Sequence, residues 1–274
     1  MTLGEVLRRS TEHLEAKGAP SPRLDAELLL GKAVGLSRVE LYMHLDRPLT
    51  GDELAAAREL VARRARREPL QYVLGEWGFR GLTLKVDRRA LIPRPETEVV
   101  VERCLELLRG HDAPHVLDVG TGTGAIALAI ADEHPGARVT GLDLSPEALA
   151  LAAENVASVG LPVQLVAGDL FAGLPAGPWN LVVSNPPYVA PAELETLAAE
   201  VRDWEPRTAL VGEGAIEALA RAAVEVLAPG GGLVVEVGDG QAPGVAALLE
   251  ELGYGGVRVT ADLTGRDRVV EGSR

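Results

Sequence analysis

Two hydrophobic rhythms divide the chain. From residue 1 to 68 the apolar positions fall at helical spacing: Leu24, Leu28 and Leu29, with Ala26 beside them, make one face, and Leu54, Ala57, Leu60 and Val61 make another. Thr2-x-x-Glu5 and Thr50-x-x-Glu53 are capping-box patterns, and Ser21-Pro22 sets a capping serine before a proline at the first helical position. These features predict a small helical domain, attached to a larger unit as a partner-recognition element. Its last helix ends in Arg63-Arg64-Ala65-Arg66-Arg67, cations expected to face water at a helix C-terminus or, on a sharper reading, to meet an acidic partner or RNA.

Residues 69–90 read as a β-hairpin linker, in which Gln71 to Gly75, Trp77 to Phe79 and Leu82 to Val86 alternate with glycine breaks. Leu91 to Glu98 is a proline-stiffened lead-in to a helix ending near Gly110. From His115 onward apolar runs of strand length alternate with helical patterns, which predicts a parallel α/β sheet. Strands are expected at 115–119, 138–143, 163–167, 179–184, 231–237, 256–261 and 267–271, and helices near 124–133, 146–158, 192–202, 215–228 and 241–252. Only Ala261 to Arg266 joins the last two strands. That is too short for a parallel crossover, so the last strand should run antiparallel. The domain reading is therefore 1–68, 69–90 and 91–274.

Composition narrows the setting. The 274 residues exceed ordinary single-domain size and contain no 18-residue apolar run, so a soluble protein of two domains, with no membrane span, is expected. The opening Met1-Thr2-Leu3-Gly4-Glu5 has no secretion-signal pattern, which points to the cytoplasm. The single cysteine, Cys104, leaves no intramolecular disulfide and no cysteine metal cluster. The five histidines show no ligand spacing, so no metal is expected. A net charge of −13 argues against a long nucleic acid backbone as the direct partner.

The candidate chemistry lies where strands give way to loops. Asp118-Val119-Gly120-Thr121-Gly122-Thr123-Gly124-Ala125 leaves a strand and opens a helix, the arrangement in which glycines admit a ligand to the backbone and a helix N-terminus receives an anion. Nineteen residues beyond Gly124, Asp143 ends the next strand, where a carboxylate can accept from both hydroxyls of a ribose. Gly120-x-Gly122-x-x-Ala125 also satisfies the dinucleotide fingerprint, so this loop alone leaves NAD open. Asp169, after the third strand, is placed to take an adenine amino group, with Leu170 or Phe171 flanking the ring. Asn185-Pro186-Pro187-Tyr188, after the apolar strand Leu181-Val182-Val183, has no evident use in a dehydrogenase. These two features favour S-adenosylmethionine, with S-adenosylhomocysteine as product.

The Asn185 side-chain oxygen and the Pro186 carbonyl are suited to accept the two N–H groups of a planar NH2, with Tyr188 stacking on the plane and Pro187 stiffening the pocket. Orientation and electrostatics would carry much of the rate. The motif fixes methylation of such an NH2 without choosing the molecule that bears it.

Further segments make that choice by resemblance. They are Ser21 to Leu29, Pro69-Leu70-Gln71-Tyr72, Leu91 to Glu98, Asp118 to Gly124, Ser184 to Tyr188, Glu236-Val237-Gly238 with Gln241, and Asp262 to Arg268. On them the chain resembles the bacterial peptide chain release factor glutamine methyltransferases along nearly its whole length. The seven strands with a reversed last hairpin likewise match the Rossmann-like S-adenosylmethionine-dependent methyltransferase sheet. The resemblance implies N5-methylation of the glutamine in the Gly-Gly-Gln motif of class I release factors, modulating translation termination, with the helical domain binding the factor and the enzyme acting as a monomer. It implies that Gly120, Thr121, Gly122, Thr123, Gly124 and Asp143 hold the cofactor, that Asn185 serves cofactor and substrate, and that Pro186, Pro187 and Tyr188 serve the substrate. Asn-Pro-Pro-Tyr alone is shared with adenine-N6 DNA and guanine-N2 rRNA methyltransferases, the alternative substrates. Two departures are visible: Val211 to Ala215 lacks the paired glycines and Asp-Gly of the family, and Leu170 stands where some members have a larger aromatic.

Overall fold

The computed structural model describes all 274 residues. They form two compact units, Met1–Glu76 with Leu197–Trp204, and Trp77–Thr196 with Glu205–Arg274. The first unit is helical: α1 (Leu3–Ala16), α2 (Pro22–Val34), α3 (Arg38–Met43), α4 (Gly51–Ala65) and α5 (Leu70–Leu74). Leu3, Leu7 and Leu14 of α1 are buried together with Ala26, Leu29 and Leu30 of α2 and with Ala57 and Val61 of α4. Both expected capping boxes form, and Ser37 with Glu40 makes a third at α3. Ser21 stands at the start of α2 without a side-chain cap, and its backbone carbonyl accepts from Asp25 N at 2.9 Å.

The stretch Gln71 to Leu74 is helical, not extended. Leu70 and Val73 are three apart and both buried, the spacing of one helix face, and Gly75 closes the turn at φ 76°. The hairpin is thus confined to β1 (Glu76–Phe79) and β2 (Leu82–Lys85).

In the second unit follow α6 (Thr97–Leu107), β3 (His115–Val119), α7 (Ala125–Glu133), β4 (Arg138–Asp143), α8 (Pro146–Val159), β5 (Val163–Ala167) and β6 (Trp179–Ser184). The expected helix over 192–202 is broken. A 3-10 segment, Pro191–Thr196, carries the buried Leu194 in the second unit, and α9 (Ala199–Arg202) belongs to the first. The chain continues through α10 (Arg207–Leu210), α11 (Ala215–Val226), β7 (Leu227–Glu236), α12 (Ala242–Glu251), β8 (Gly255–Ala261) and β9 (Asp267–Ser273).

Seven strands form one sheet in the order β5-β4-β3-β6-β7-β9-β8. The first five are parallel, and β9 runs antiparallel to both β7 and β8, as the short last connection requires. Alternate strand residues supply two cores. Val116, Leu181, Val183, Val234 and Val269 bury with α6 and α7 on one face. Leu117, Val182, Leu233, Val235 and Val270 bury with α11 and α12 on the other.

Three of the four arginines at the end of α4 turn to carboxylates and not to open water. Arg64 is 3% exposed, and its guanidinium donates to Asp25 Oδ2 at 2.7 Å, Glu200 Oε1 at 3.0 Å and the Glu68 carbonyl at 3.1 Å. Arg67, held at a positive φ of 66°, donates to both Glu200 oxygens at 2.7 and 2.6 Å. Arg63 pairs with Glu68, leaving Arg66 as the exposed arginine of the run. Carboxylates from distant sequence, Asp25 and Glu200, absorb charges that the local pattern assigned to solvent.

Candidate active site

Sheet register aligns the chemistry-bearing residues along one edge. The order of strands reverses at β3, which lies between β4 and β6, and the carboxyl ends there form the crevice where open α/β sheets take ligands. Val119 pairs with Leu142 on one side and with Ser184 on the other, so the glycine loop, Asp143 and Asn185 leave the sheet at one level. Asp143 pairs with Ala167, which brings Asp169 beside it. Ser184 pairs with Val235, which sets Glu236 next to Asn185.

A cavity of about 600 Å³ opens on this edge, within the usual range for a small-molecule site. Its lining includes Gly120, Thr121, Gly122, Thr123, Asp143, Asp169, Leu170, Phe171, Asn185, Pro186 and Pro187. Gly124 and Tyr188 are not in that lining. Gly124, at φ 82°, starts α7, and a Cβ there would touch Leu128 and Ala152. A Cβ on Gly238 would lie 3.0 Å from Tyr188 Cδ2, and the Tyr188 carbonyl accepts from Gln241 Nε2 at 3.1 Å. Burial first, and then the nearby Glu236 carboxylate, push the Tyr188 hydroxyl up to about 12.

The donor set of the cavity fits an adenosyl amino acid. Gly124, the N-cap of α7, has no side chain to cap the helix and Asp118 takes only the Ala127 amide, so the helix start still offers its positive end to a carboxylate. The Asp143 carboxylate is fixed by two amides, Gly122 N to Oδ2 at 2.8 Å and Ser145 N to Oδ1 at 2.9 Å, and each oxygen keeps a lone pair for a hydroxyl. Asp169 Oδ1 accepts from Phe171 N at 2.9 Å, capping the short 3-10 turn Leu170–Ala172. Leu170 is part-buried, and Phe171 is 67% exposed at the rim.

Beneath the glycine loop lies Asp118, fully buried. Its Oδ2 accepts from Thr121 Oγ1 at 2.6 Å and Ala127 N at 3.2 Å, while Oδ1 has no partner. Burial pushes its carboxyl up to about 7.

The opposite wall is built around Asn185. Ser184 Oγ donates to the Val119 carbonyl at 2.6 Å, tying the start of the motif to β3. Asn185 Nδ2 donates to Thr97 Oγ1 at 3.3 Å, and the buried Thr97 hydroxyl donates to Glu236 Oε2 at 2.6 Å. That arrangement turns the NH2 of Asn185 towards Thr97, with one N–H donated, and leaves its carbonyl oxygen as the free acceptor. From the far side, Val189 N donates to the Leu210 carbonyl at 2.9 Å and Val189 pairs with Val211. Gly212 then approaches so closely that a Cβ would stand 2.5 Å from Pro187 Cγ and 2.6 Å from its carbonyl oxygen. The divergent Val211–Ala215 loop is therefore a clamp on the Asn185–Tyr188 turn. Arg94 closes the rim by pairing with the buried Glu205 at 2.5 Å.

The sequence pattern did not reveal the roles of Thr97, Glu236, Glu205 and Gln241. Thr97 and Glu236 lie 139 residues apart and share no local spacing. The segments that carry the resemblance, Leu91 to Glu98 and Glu236 to Gly238 with Gln241, contained Thr97, Glu236 and Gln241 but not Glu205.

Comparisons with known proteins agree with both units. Residues 5–75 match the family model of the PrmC N-terminal domain, and residues 100–201 match that of the methyltransferase small domain. A release factor glutamine methyltransferase of Geobacter sulfurreducens is 46% identical over 275 residues, covering 99% of this chain and 96% of its own length. One from Deinococcus radiodurans is 45% identical over 277 residues, covering 100% of this chain and 99% of its own. The T. thermophilus 16S rRNA N2 methyltransferase, solved with AdoMet and guanosine, matches with a TM-score of 0.53 and 20% identity over 73% of this chain and 49% of that one. That likeness is one of fold.

Proposed function

The chain belongs to the release factor glutamine methyltransferases, and from that membership we propose how its cavity serves the reaction. The enzyme methylates the N5 side-chain nitrogen of the glutamine in the Gly-Gly-Gln motif of class I peptide chain release factors, in the cytoplasm. S-adenosylmethionine, when bound, supplies an electrophilic methyl group and leaves as S-adenosylhomocysteine. Gly120 to Gly124 and the N-terminus of α7 hold its carboxylate, Asp143 its ribose hydroxyls, and Asp169 with Leu170 and Phe171 its adenine.

Asn185 Oδ1 and the Pro186 carbonyl each accept one N–H of the substrate amide. An amide nitrogen is a poor nucleophile because its lone pair is delocalised into the carbonyl. Holding both protons in one plane turns that lone pair towards the electrophile and stabilises the positive charge that develops on nitrogen. The N-alkylated amide is acidic enough to give its proton to water, so no side chain need act as base. Pro186 and Pro187 stiffen the acceptors, and the close contact of Gly212 with Pro187 keeps the turn in place.

The observation that carries this reading is the commitment of Asn185 Nδ2 to Thr97, which leaves Oδ1 as an acceptor beside the cavity. The net charge of −13 supports a protein substrate over a nucleic acid one. Incubation with labelled S-adenosylmethionine and purified release factor should label one glutamine, located by mass spectrometry. Asn185→Ala should lower transfer by roughly a hundredfold or more while cofactor binding persists. Labelling of DNA adenine or rRNA guanine with the release factor untouched would overturn the substrate assignment.

A further inference from the structure

A buried glutamate lies behind the asparagine, joined to it through one threonine hydroxyl. Glu236 is 1% exposed at the carboxyl end of β7, and its Oε2 accepts from the Thr97 hydroxyl at 2.6 Å. Thr97, itself 4% exposed, opens α6 and receives Asn185 Nδ2 at 3.3 Å. A hydroxyl has one proton to give. When the carboxylate takes it, the Thr97 oxygen has only lone pairs left for Asn185, and the amide must turn its NH2 inward.

We propose that Glu236 and Thr97 are positioning residues that set the polarity of the Asn185 amide, so that its oxygen and not its NH2 meets the substrate nitrogen. This rests on the reading of Asn185 as the acceptor for a glutamine amide. The reverse polarity follows from protonating Glu236. A carboxylic acid donates to Thr97 Oγ1, the Thr97 proton then points at Asn185, and the amide flips to satisfy it. Its NH2 would face the substrate NH2, donor against donor, and the orienting contact would be lost.

The surroundings of Glu236 make that protonation accessible near neutrality. Burial pushes its carboxyl up to about 7, against the Thr97 hydrogen bond and the Arg268 charge, with Glu96 raising it further and Arg94 lowering it. The Tyr188 ring also lies within its field, un-ionised at these pH values. Arg268 does not neutralise the carboxylate by a direct bond, since its guanidinium is taken by Asp239, Asp262 and the Val237 carbonyl.

The test is the pH profile of methyl transfer to release factor between about pH 6 and pH 9, for wild type, Thr97→Val, Thr97→Ser and Glu236→Gln, with cofactor affinity measured alongside. Wild-type kcat/KM should fall about tenfold per pH unit below about pH 7. Thr97→Val should lose about tenfold or more at pH 8 with cofactor affinity unchanged, and Thr97→Ser should restore most of it. Neither Thr97→Val nor Glu236→Gln should retain the acid limb. A Thr97→Val enzyme with wild-type rate, or a Glu236→Gln enzyme that keeps the limb, overturns the proposal. If Thr97→Val fails to fold by thermal melting, the Glu236→Gln profile decides alone. A wild-type enzyme that leaves the release factor unmethylated would instead overturn the substrate reading.

Discussion

Gly122 donates its backbone N–H to Asp143 Oδ2 at 2.8 Å, so the carboxylate proposed to hold the ribose also fastens the middle of the glycine loop. Ser145 N takes the other oxygen at 2.9 Å. The two halves of the proposed cofactor site are one hydrogen-bonded unit built from the ends of β3 and β4.

Asp143→Ala should therefore do two things at once, removing the ribose acceptor and releasing the loop. Affinity for S-adenosylmethionine should fall by about ten- to a hundredfold, the scale of hydrogen bonds to a charged group. Isothermal titration calorimetry measures it. Asp143→Asn, which keeps one acceptor oxygen, should lose less.

Gly212→Ala tests the clamp on the substrate turn. With Pro187 Cγ at 2.5 Å and its carbonyl at 2.6 Å from the added methyl, either the turn or the Val211–Ala215 loop must move. Displacing the Pro186 carbonyl from the place proposed for the substrate nitrogen should lower kcat/KM for release factor by about tenfold. Cofactor affinity should change far less, which separates this effect from general damage.

In the helical unit, Arg64→Ala takes a partner from two carboxylates and strands one of them. Asp25 would be buried without its partner, and Glu200 would keep only Arg67. Breaking a buried pair on one side costs about 3–5 kcal/mol, and thermal or denaturant unfolding should show the loss in this unit. Asp25→Leu combined with Arg64→Met should cost less than the two single changes together, because no unpaired charge remains between them.

Asp118 gives a pH dependence of stability. Its carboxyl, ordinarily at 3.8, is pushed up to about 7 by burial, and Oδ1 has no partner. Between those two values the folded state binds a proton that the unfolded state does not, so stability rises as pH falls from about 7 towards about 4 and declines as pH rises through that window. Glu236, with its carboxyl also near 7, acts in the same direction. Asp118→Asn removes one titration. Its melting temperature relative to wild type should increase from about pH 5 to about pH 8; a constant difference would show that Asp118 keeps an ordinary carboxyl.

Much of this protein is readable from local pattern because its causes are local. Consecutive apolar residues such as Val182 and Val183 mark a strand buried on both faces, and the six residues from Ala261 to Arg266 force the last strand to reverse. The glycine loop, Asp143 and Asn185 stand out because strand ends in such a sheet are where ligands approach. Pattern misled where two periods coincide or a distant partner intervenes. Pro69 to Gly75 satisfied a strand rhythm while Leu70 and Val73 formed a helix face. The arginines at the end of α4 resembled a solvated cap until Asp25 and Glu200 came to meet them. Only tertiary structure decided that Thr97 and Glu236 stand behind Asn185, because the register of β6 against β7 and the placement of α6 join residues with no sequence relation. The sequence by itself determined the strands, the loops that carry the site and the asparagine at its centre; the direction in which that amide faces is a property of contacts that exist only once the sheet has assembled.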